Sequence, residues 1–459
     1  MREFITTGRI DPSKRLVVER TKDFNEIYEV FDNSDAAQQS DRCIQCGDPF
    51  CLNKCPLHNY IPQWLKSIAE KDLPFAFKLS NEPSPFPEVM GRVCPHDRLC
   101  EGDCTLNDGH GAITIGSIET YINEEGFKQG LKPDFPGVTS DKKVAVIGSG
   151  PAGLSAATYL LRSGYGVDMY ERSDKAGGLL TYGIPNFKLD KKVVDRRVNL
   201  LIEAGMKLHV NCEVGKDISF EEITNTHDAI FLGIGATKAK SAGISGENAR
   251  NVYKSMQYLT AIQQKNFGKS YSKEFDFKDL DVVVIGGGDT AMDCVRTSKR
   301  EGARSVTCLY RRDAHNMPGS QKEYKNAMEE GVDFTFYAAP KEVIIGDDGK
   351  AVGITMIKTV LGAKDAGGRQ RMEEVKGSEF QVKADIIIMA LGFDPDVPAF
   401  FAENGIATNS WGGVIVDENQ QTSTSGIYAG GDCYRGAHLV VTAAYDGREA
   451  ARSIINSLG

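Results

Sequence analysis

The sequence predicts an α/β protein with a helical amino-terminal part, followed by two strand, turn, helix, strand units, the second set within the first. Three observations carry this. Seven of the eleven cysteines fall between Cys43 and Cys104, in a stretch without the β-branched runs that strands favour. Beyond about residue 140 short apolar runs appear, each leading into a glycine-rich turn and an amphipathic stretch. That succession occurs twice.

A chain of 459 residues is long enough for about three domains. Its 41% hydrophobic and 25% charged content is that of a globular protein. Net charge is -9, so no basic surplus exists to neutralise phosphates, which argues against a nucleic-acid partner. The opening MREFITTGRIDPSKRLVVER lacks the apolar core of a signal peptide, and no apolar run reaches the roughly 18 residues that a membrane helix needs. No membrane association is expected, and the chain reads as cytoplasmic. Eleven cysteines, an odd number, cannot all pair into disulfides. In a reducing compartment, clustered thiols bind metal or carry redox chemistry more often than they form structural bridges.

In chain order, IPQWLKSIAEKD (61–72) and ITIGSIETYINEE (113–125) carry helical apolar spacing. GLKPDFPGVTSDKK (130–143) reads as a linker. The predicted domains are a helical one over 1–140, a second over 141–265 and 393–459, and a third over 266–392.

The second domain opens with KKVAVIGSGPAGLSAATYLLRSGYGVDMYER (142–172), in which Gly148, Gly150 and Gly153 follow the strand VAVI. The first glycine permits the tight turn, the second admits a pyrophosphate to the backbone, and the third lets the helix pack on the strand. Free N–H groups at the helix start face the phosphates. Glu171, ending the second strand, is placed to accept hydrogen bonds from a ribose diol. The plan recurs at DLDVVVIGGGDTAMDCVRTSKREGARSVTCLYRR (279–312), with Gly286, Gly288 and Ala291 in the turn. Here the second strand ends in Arg311 and Arg312, and two guanidiniums suit a 2′-phosphate by charge and bidentate geometry. That assigns NADPH to the second unit. A last strand, GIYA, leads into Gly430, Gly431 and Asp432. In two-nucleotide flavoproteins, which the chain resembles, a segment of this kind closes over the flavin, and the following helix points its positive end at the ring.

Cys212, Cys294, Cys308 and Cys433 stand alone in sequence, so no dithiol of the disulfide-reductase kind is available to take electrons from a flavin. The clustered cysteines offer another outlet. Cys43, Cys46, Cys51 and Cys55, then Cys94, Cys100 and Cys104, have short gaps, with Pro56 and Pro95 directly after a cysteine. This resembles 4Fe-4S binding. Zinc is the alternative, since the seven thiolates with His58, His96 or His110 would fill two tetrahedral sites.

RCIQCGDPFCLNKCPLHNYIP, GRVCPHDRLCEGDC and AITIGSIE resemble the paired-cluster domain shared by glutamate synthase small (beta) subunits and the amino-terminal part of dihydropyrimidine dehydrogenase. Electron-bifurcating transhydrogenase subunits share it too. The resemblance extends through GGLLTYGIPNFKLDK (177–191), ALGFDPD (390–396) and TSTSGIYAGGDCYRGAHLVVTAAYDGREAA (422–451). It is nearest to the glutamate synthase small subunits, through KRLVVERTKDFNEIYEVF and the want of a further domain.

The resemblance implies one cluster on Cys43, Cys46, Cys51 and Cys104, and another on Cys55, Cys94, Cys100 and the non-cysteine ligand Glu119. It implies FAD against Gly148, Gly150, Pro151, Ala152, Gly153, Glu171, Arg172, Gly178, Leu179, Lys188 and Val214, closed by Gly431, Asp432 and Val440. NADPH is implied at Gly288, Asp289, Thr290, Ala291, Arg311 and Arg312, its nicotinamide near Ala390 to Gly392. No side chain is expected to act as a catalytic acid or base, because the cofactors carry the chemistry. The implied activity is electron input to glutamate synthase, from NADPH through FAD and both clusters to a large (alpha) subunit that makes glutamate from glutamine and 2-oxoglutarate. Glutaminase domains of that system begin with Cys, whereas this chain begins Met1-Arg2, so no glutamine hydrolysis is expected here. The alternatives are an NADH-dependent ferredoxin:NADP subunit, a stand-alone reductase, or a zinc-stabilised nucleotide sensor without turnover.

Overall fold

The computed structural model describes residues 3–364 and 370–459. Among the described residues up to 130 the regular elements are helices, apart from an isolated bridge between Lys14 and Tyr28. The helices Ile61–Ala69, Leu73–Asn81 and Pro87–Val93 each carry a proline in the first turn, where no intrahelical N–H is lost. Asp72 caps the second by accepting from Phe75 N at 3.1 Å. Trp64, Phe77, Ile118 and Ile122 fill the core between them and the longer helix Ile115–Lys128. That helix crosses Pro87–Val93 backbone to backbone. A Cβ on Gly91 would stand 2.6 Å from Gly116 O, so the crossing requires glycine at 91. It brings Glu119 beside the loop that follows Val93.

Residues 131–140 have no regular structure, as a linker should. Two five-stranded parallel sheets follow. In the first, the spatial order is Ile427–Ala429, Ala229–Leu232, Lys143–Ile147, Gly166–Tyr170, Lys207–His209. In the second it is Val252–Lys254, Ile386–Met389, Asp281–Ile285, Ser305–Tyr310, Asp333–Phe336. The central strands are apolar on both faces because both are covered: in the second sheet helices pack on one face, and antiparallel strands carrying Val343, Ile354 and Met356 pack on the other. Val144, Val146, Met169 and Phe231 pack under the helices Pro151–Arg162 and Val440–Leu458.

The chain leaves the first sheet after Leu232 and returns to it at Ile427, with the whole second sheet between. The expected boundary at 265/266 does not coincide with the sheet. Val252–Lys254 pairs in parallel with Ile386–Met389, so the second sheet begins earlier. A three-residue edge strand has too few residues to show a period of two. A three-stranded antiparallel sheet, Ala338–Ile345, Ala351–Lys364 and Gln370–Lys383, extends the second unit. The outgoing and returning connections also pair with each other, Lys238–Ala239 antiparallel to Phe393–Asp394.

The helical part docks on both sheet units through buried charge. Arg197 donates to Glu88 at 2.7 and 2.6 Å and to Asn81 Oδ1 at 3.1 Å. Arg448 donates to Leu57 O at 2.9 Å. On the other side Arg20 donates to Glu329 at 2.7 Å and Glu330 at 3.1 Å, and Tyr28 Oη donates to Asn326 at 3.1 Å.

Candidate functional site

The first glycine turn opens onto a cleft of about 610 Å³, within the size range of nucleotide and cofactor pockets. Each glycine has its own reason. Gly148 has φ +96°, and a Cβ there would stand 2.4 Å from Gly233 O. A Cβ on Gly153 would fall 1.9 Å from Gly148 O, whereas one on Gly150 would meet nothing within 4 Å. The turn is closed by the outer two residues and open to the cleft at the middle one, the space that a pyrophosphate needs.

Glu171 is nearly buried and already oriented. It accepts from Ser149 N at 3.1 Å, Ser149 Oγ at 2.5 Å and Ser173 N at 2.8 Å. Ser149 Oγ accepts in turn from Gly177 N at 3.0 Å. Ser149 was not anticipated; its only sequence signal is a hydroxyl between the two glycines. On the opposite wall, Gly431 N donates to Asp446 Oδ2 at 3.1 Å, and His438 N donates to Asp432 Oδ1 at 3.2 Å. Burial, with Asp446 nearby, pushes the Asp432 carboxyl up to about 7. His438, Leu439 and Val440 line the cleft where the helix Val440–Leu458 begins, so its positive end faces inward.

Of the residues expected at FAD, Gly148, Gly150, Pro151, Ala152, Glu171, Arg172, Gly178, Leu179, Val214, Gly431, Asp432 and Val440 line this cleft. Gly153 acts behind it, in helix-to-strand packing. Lys188 lies elsewhere. Its Nζ donates to Asp293 at 2.8 Å and stands 4.0 Å from Glu323. Burial opposes its charge, but Asp293 and Glu323 outweigh burial and hold the ammonium above its ordinary range. It therefore joins the two sheet units.

The second turn repeats the geometry. Gly286 has φ +148°, a Cβ there would stand 2.3 Å from Ala390 O, and Gly288 is open. Ala291 is buried in the helix Asp289–Arg300. Asp289 Oδ1 accepts from Ser320 N at 2.9 Å. Thr290 follows in the first turn, and Gly392 O accepts from Lys240 N at 3.0 Å. Arg311 is exposed and Arg312 half-buried. Among the described residues, buried Arg312 Nε has no hydrogen-bond partner.

The clustered thiols line two separate cavities. One is bounded by Cys43, Cys46, Cys51 and Cys104, with Ile44, Leu65 and Ile113. The other is bounded by Cys55, Cys94, Cys100 and Glu119, with Asn59, Trp64 and Val441. Asn59 Nδ2 donates to Glu119 Oε1 at 2.6 Å, and Trp64 Nε1 donates to Asn59 at 3.3 Å. Burial pushes Cys43 up to about 11 and Cys51 up to about 12, and raises Cys55, Cys94 and Cys100. Burial, with Glu88 adding, pushes Glu119 up to about 8. Such walls accept thiolate and carboxylate only beside compensating positive charge, which iron supplies. Among the described residues no three His, Cys, Asp or Glu side chains converge on one ion-sized point. Each cavity is lined by four candidate ligands, the number that a 4Fe-4S cluster takes. All eleven cysteines are free thiols, and Cys294, Cys308 and Cys433 are buried.

Two nucleotide turns on interleaved parallel sheets define a pyridine-nucleotide oxidoreductase. The family described as pyridine nucleotide-disulphide oxidoreductase matches residues 142–447, and dihydropyrimidine dehydrogenase domain II, 4Fe-4S cluster, matches residues 20–131. The fold is similar to that of Mycobacterium tuberculosis FprA in complex with NADPH, with TM-score 0.60 and 18% identity over 70% of this chain and 85% of that one. The chain is 47% identical to the glutamate synthase (NADPH) small chain of Escherichia coli, over 99% of this chain and 98% of that one. It is 48% identical to the protein of that name from Halomonas elongata, over the same shares. The chain belongs to the glutamate synthase small-chain family. Among the described residues, no helix is long and apolar enough to cross a membrane.

Proposed function

We propose that the chain is the electron-input subunit of an NADPH-dependent glutamate synthase. It oxidises NADPH and passes electrons through FAD and two 4Fe-4S clusters to a large subunit, which makes glutamate from glutamine and 2-oxoglutarate. When bound, the flavin and the clusters supply the conversion of a two-electron donor into single-electron transfers. The chain's residues bind, orient and insulate. Gly150 and Gly288 leave room for phosphates, Glu171 accepts from a ribose, and Arg311 with Arg312 meets the 2′-phosphate.

One observation carries the reading. The helix Val440–Leu458 begins between the flavin cleft, which Val440 lines, and the second thiol cavity, which Val441 lines. A continuous wall thus joins the two redox centres. The first cavity lies farther out, with Cys46 partly exposed and Phe50, on its wall, 53% exposed. This is the side on which a larger partner would receive electrons.

The stand-alone and ferredoxin-linked alternatives are not favoured, because two relatives matched over 98% of their own length are named glutamate synthase (NADPH) small chains. The purified chain is expected to be yellow-brown, with about eight irons and eight acid-labile sulfides for two cubanes. Alone it should reduce dyes with NADPH. Mixed with the large subunit, it should oxidise NADPH only when glutamine and 2-oxoglutarate are present. A colourless protein, or NADPH oxidation indifferent to the large subunit, overturns the proposal.

A further inference from the structure

The second nucleotide turn has a neighbour from the helical domain. Arg98 ends the short 3-10 turn His96–Arg98, in the loop between Cys94 and Cys100, both of which line the second thiol cavity. Its side chain leaves that domain. Nη1 donates to Pro318 O at 2.6 Å, and Nη2 stands 3.9 Å from Asp289 Oδ2. Pro318 begins a loop laced onto the glycine turn, with Gly319 N donating to Gly287 O at 2.9 Å and Ser320 N donating to Asp289 Oδ1 at 2.9 Å. The guanidinium is thereby fixed at the rim of the phosphate-binding turn, and its side chain is 40% exposed.

The charges there need a cation. A dinucleotide pyrophosphate carries two negative charges to the Gly288 and Asp289 N–H groups, and Asp289 places a carboxylate in the same first turn. The helix end offers only about half a positive charge. Arg311 and Arg312 directly follow the neighbouring strand Ser305–Tyr310 and, on the NADPH reading, are taken up by the adenosine 2′-phosphate. We propose that Arg98, supplied by the cluster-bearing domain, completes the NADPH site by offsetting Asp289 and donating to the pyrophosphate. This rests on the NADPH reading of the second turn. A guanidinium has five N–H donors, so the bond to Pro318 positions Arg98 without exhausting it.

The test uses the holoprotein and calorimetric titration with two probes: NADP+, and 2′-AMP, which lacks the pyrophosphate. Arg98→Gln is expected to weaken NADP+ about tenfold or more, the worth of one charge-assisted phosphate contact, and to leave 2′-AMP unchanged. Arg98→Lys, which keeps the charge, should recover part of the loss and keeps the test valid if the Gln variant fails to assemble its clusters. Unchanged NADP+ affinity overturns the proposal. So does a parallel fall for both probes, because that marks Arg98 as a structural strut. Wild-type protein that binds NAD+ but neither probe instead overturns the NADPH assignment.

Discussion

Replacing Arg197 by Met tests how the helical domain is held against the flavin domain. Arg197 and Glu88 are 1% and 0% exposed in their side chains, and they share two bonds of 2.7 and 2.6 Å. Arg197 lies in the helix Lys191–Glu203 of the flavin domain, and Glu88 in Pro87–Val93, which leads into Cys94. Removing one partner of a fully buried pair costs about 3–5 kcal/mol, because the other charge is left unpaired. At about 2–4 °C per kcal/mol for a unit of this size, the apparent melting midpoint should fall by roughly 6–20 °C. The double variant Glu88→Leu with Arg197→Met leaves no stranded charge and should regain most of the loss. Below the melting range, stopped-flow flavin reduction by NADPH should be unchanged in Arg197→Met, while rapid-freeze EPR shows slower arrival of electrons at the clusters. If the single and double variants melt together, or if the single variant melts like wild type, the pair does not hold the interface.

Glu119→Ala should alter the EPR signal of one cluster and leave the other intact, whereas Cys46→Ser should do the reverse; two unchanged signals in Glu119→Ala would remove Glu119 from the ligand set. Replacing Arg311 and Arg312 by Ala should cut the preference for NADPH over NADH, by roughly tenfold for each lost phosphate contact, and steady-state kinetics with both nucleotides reads it. Glu330 accepts from Arg296 and Arg300 at 2.7–2.9 Å, and although burial opposes its charge, the guanidiniums hold it down at about 2. A depressed carboxylate contributes stability above its ordinary value of 4.5 and loses it as pH falls toward 2. Glu330→Gln should therefore flatten the acid side of the stability curve in that window, as measured by denaturant titration at stepped pH.

The two glycine turns were legible because their demands are local. A strand, a fixed glycine spacing and a helix start lie within a few residues of one another, and the open space at Gly150 and Gly288 follows from that spacing alone. The isolation of Cys212, Cys294, Cys308 and Cys433 was equally plain. The division of the remaining thiols came from resemblance, since spacing cannot say that Cys104 joins Cys43 while Cys55 joins Cys94. What the sequence did not reveal depends on distant partners. Lys188 sits in a segment rich in cofactor-like residues, yet its charge is held by Asp293, 105 residues away. The edge strand Val252–Lys254 exists only because Ile386–Met389 offers it a ladder. Arg98 resembles any charged loop residue until the helical domain docks and carries it to Asp289.

The paired connections Lys238–Ala239 and Phe393–Asp394 bear on how the chain can be cut and rejoined. Ala239 faces Phe393 across the ribbon, and partners in an antiparallel pair have Cα atoms about 4.5–5.5 Å apart. The inserted unit thus hangs from a doorway narrow enough for a two-residue turn to close. A shortened chain with 240–392 excised and a tight turn in their place should keep the first sheet's strand order. It would lose Met256, Thr260 and Gln264 from one wall of the cleft, a deletion that isolates the flavin compartment from its hydride donor.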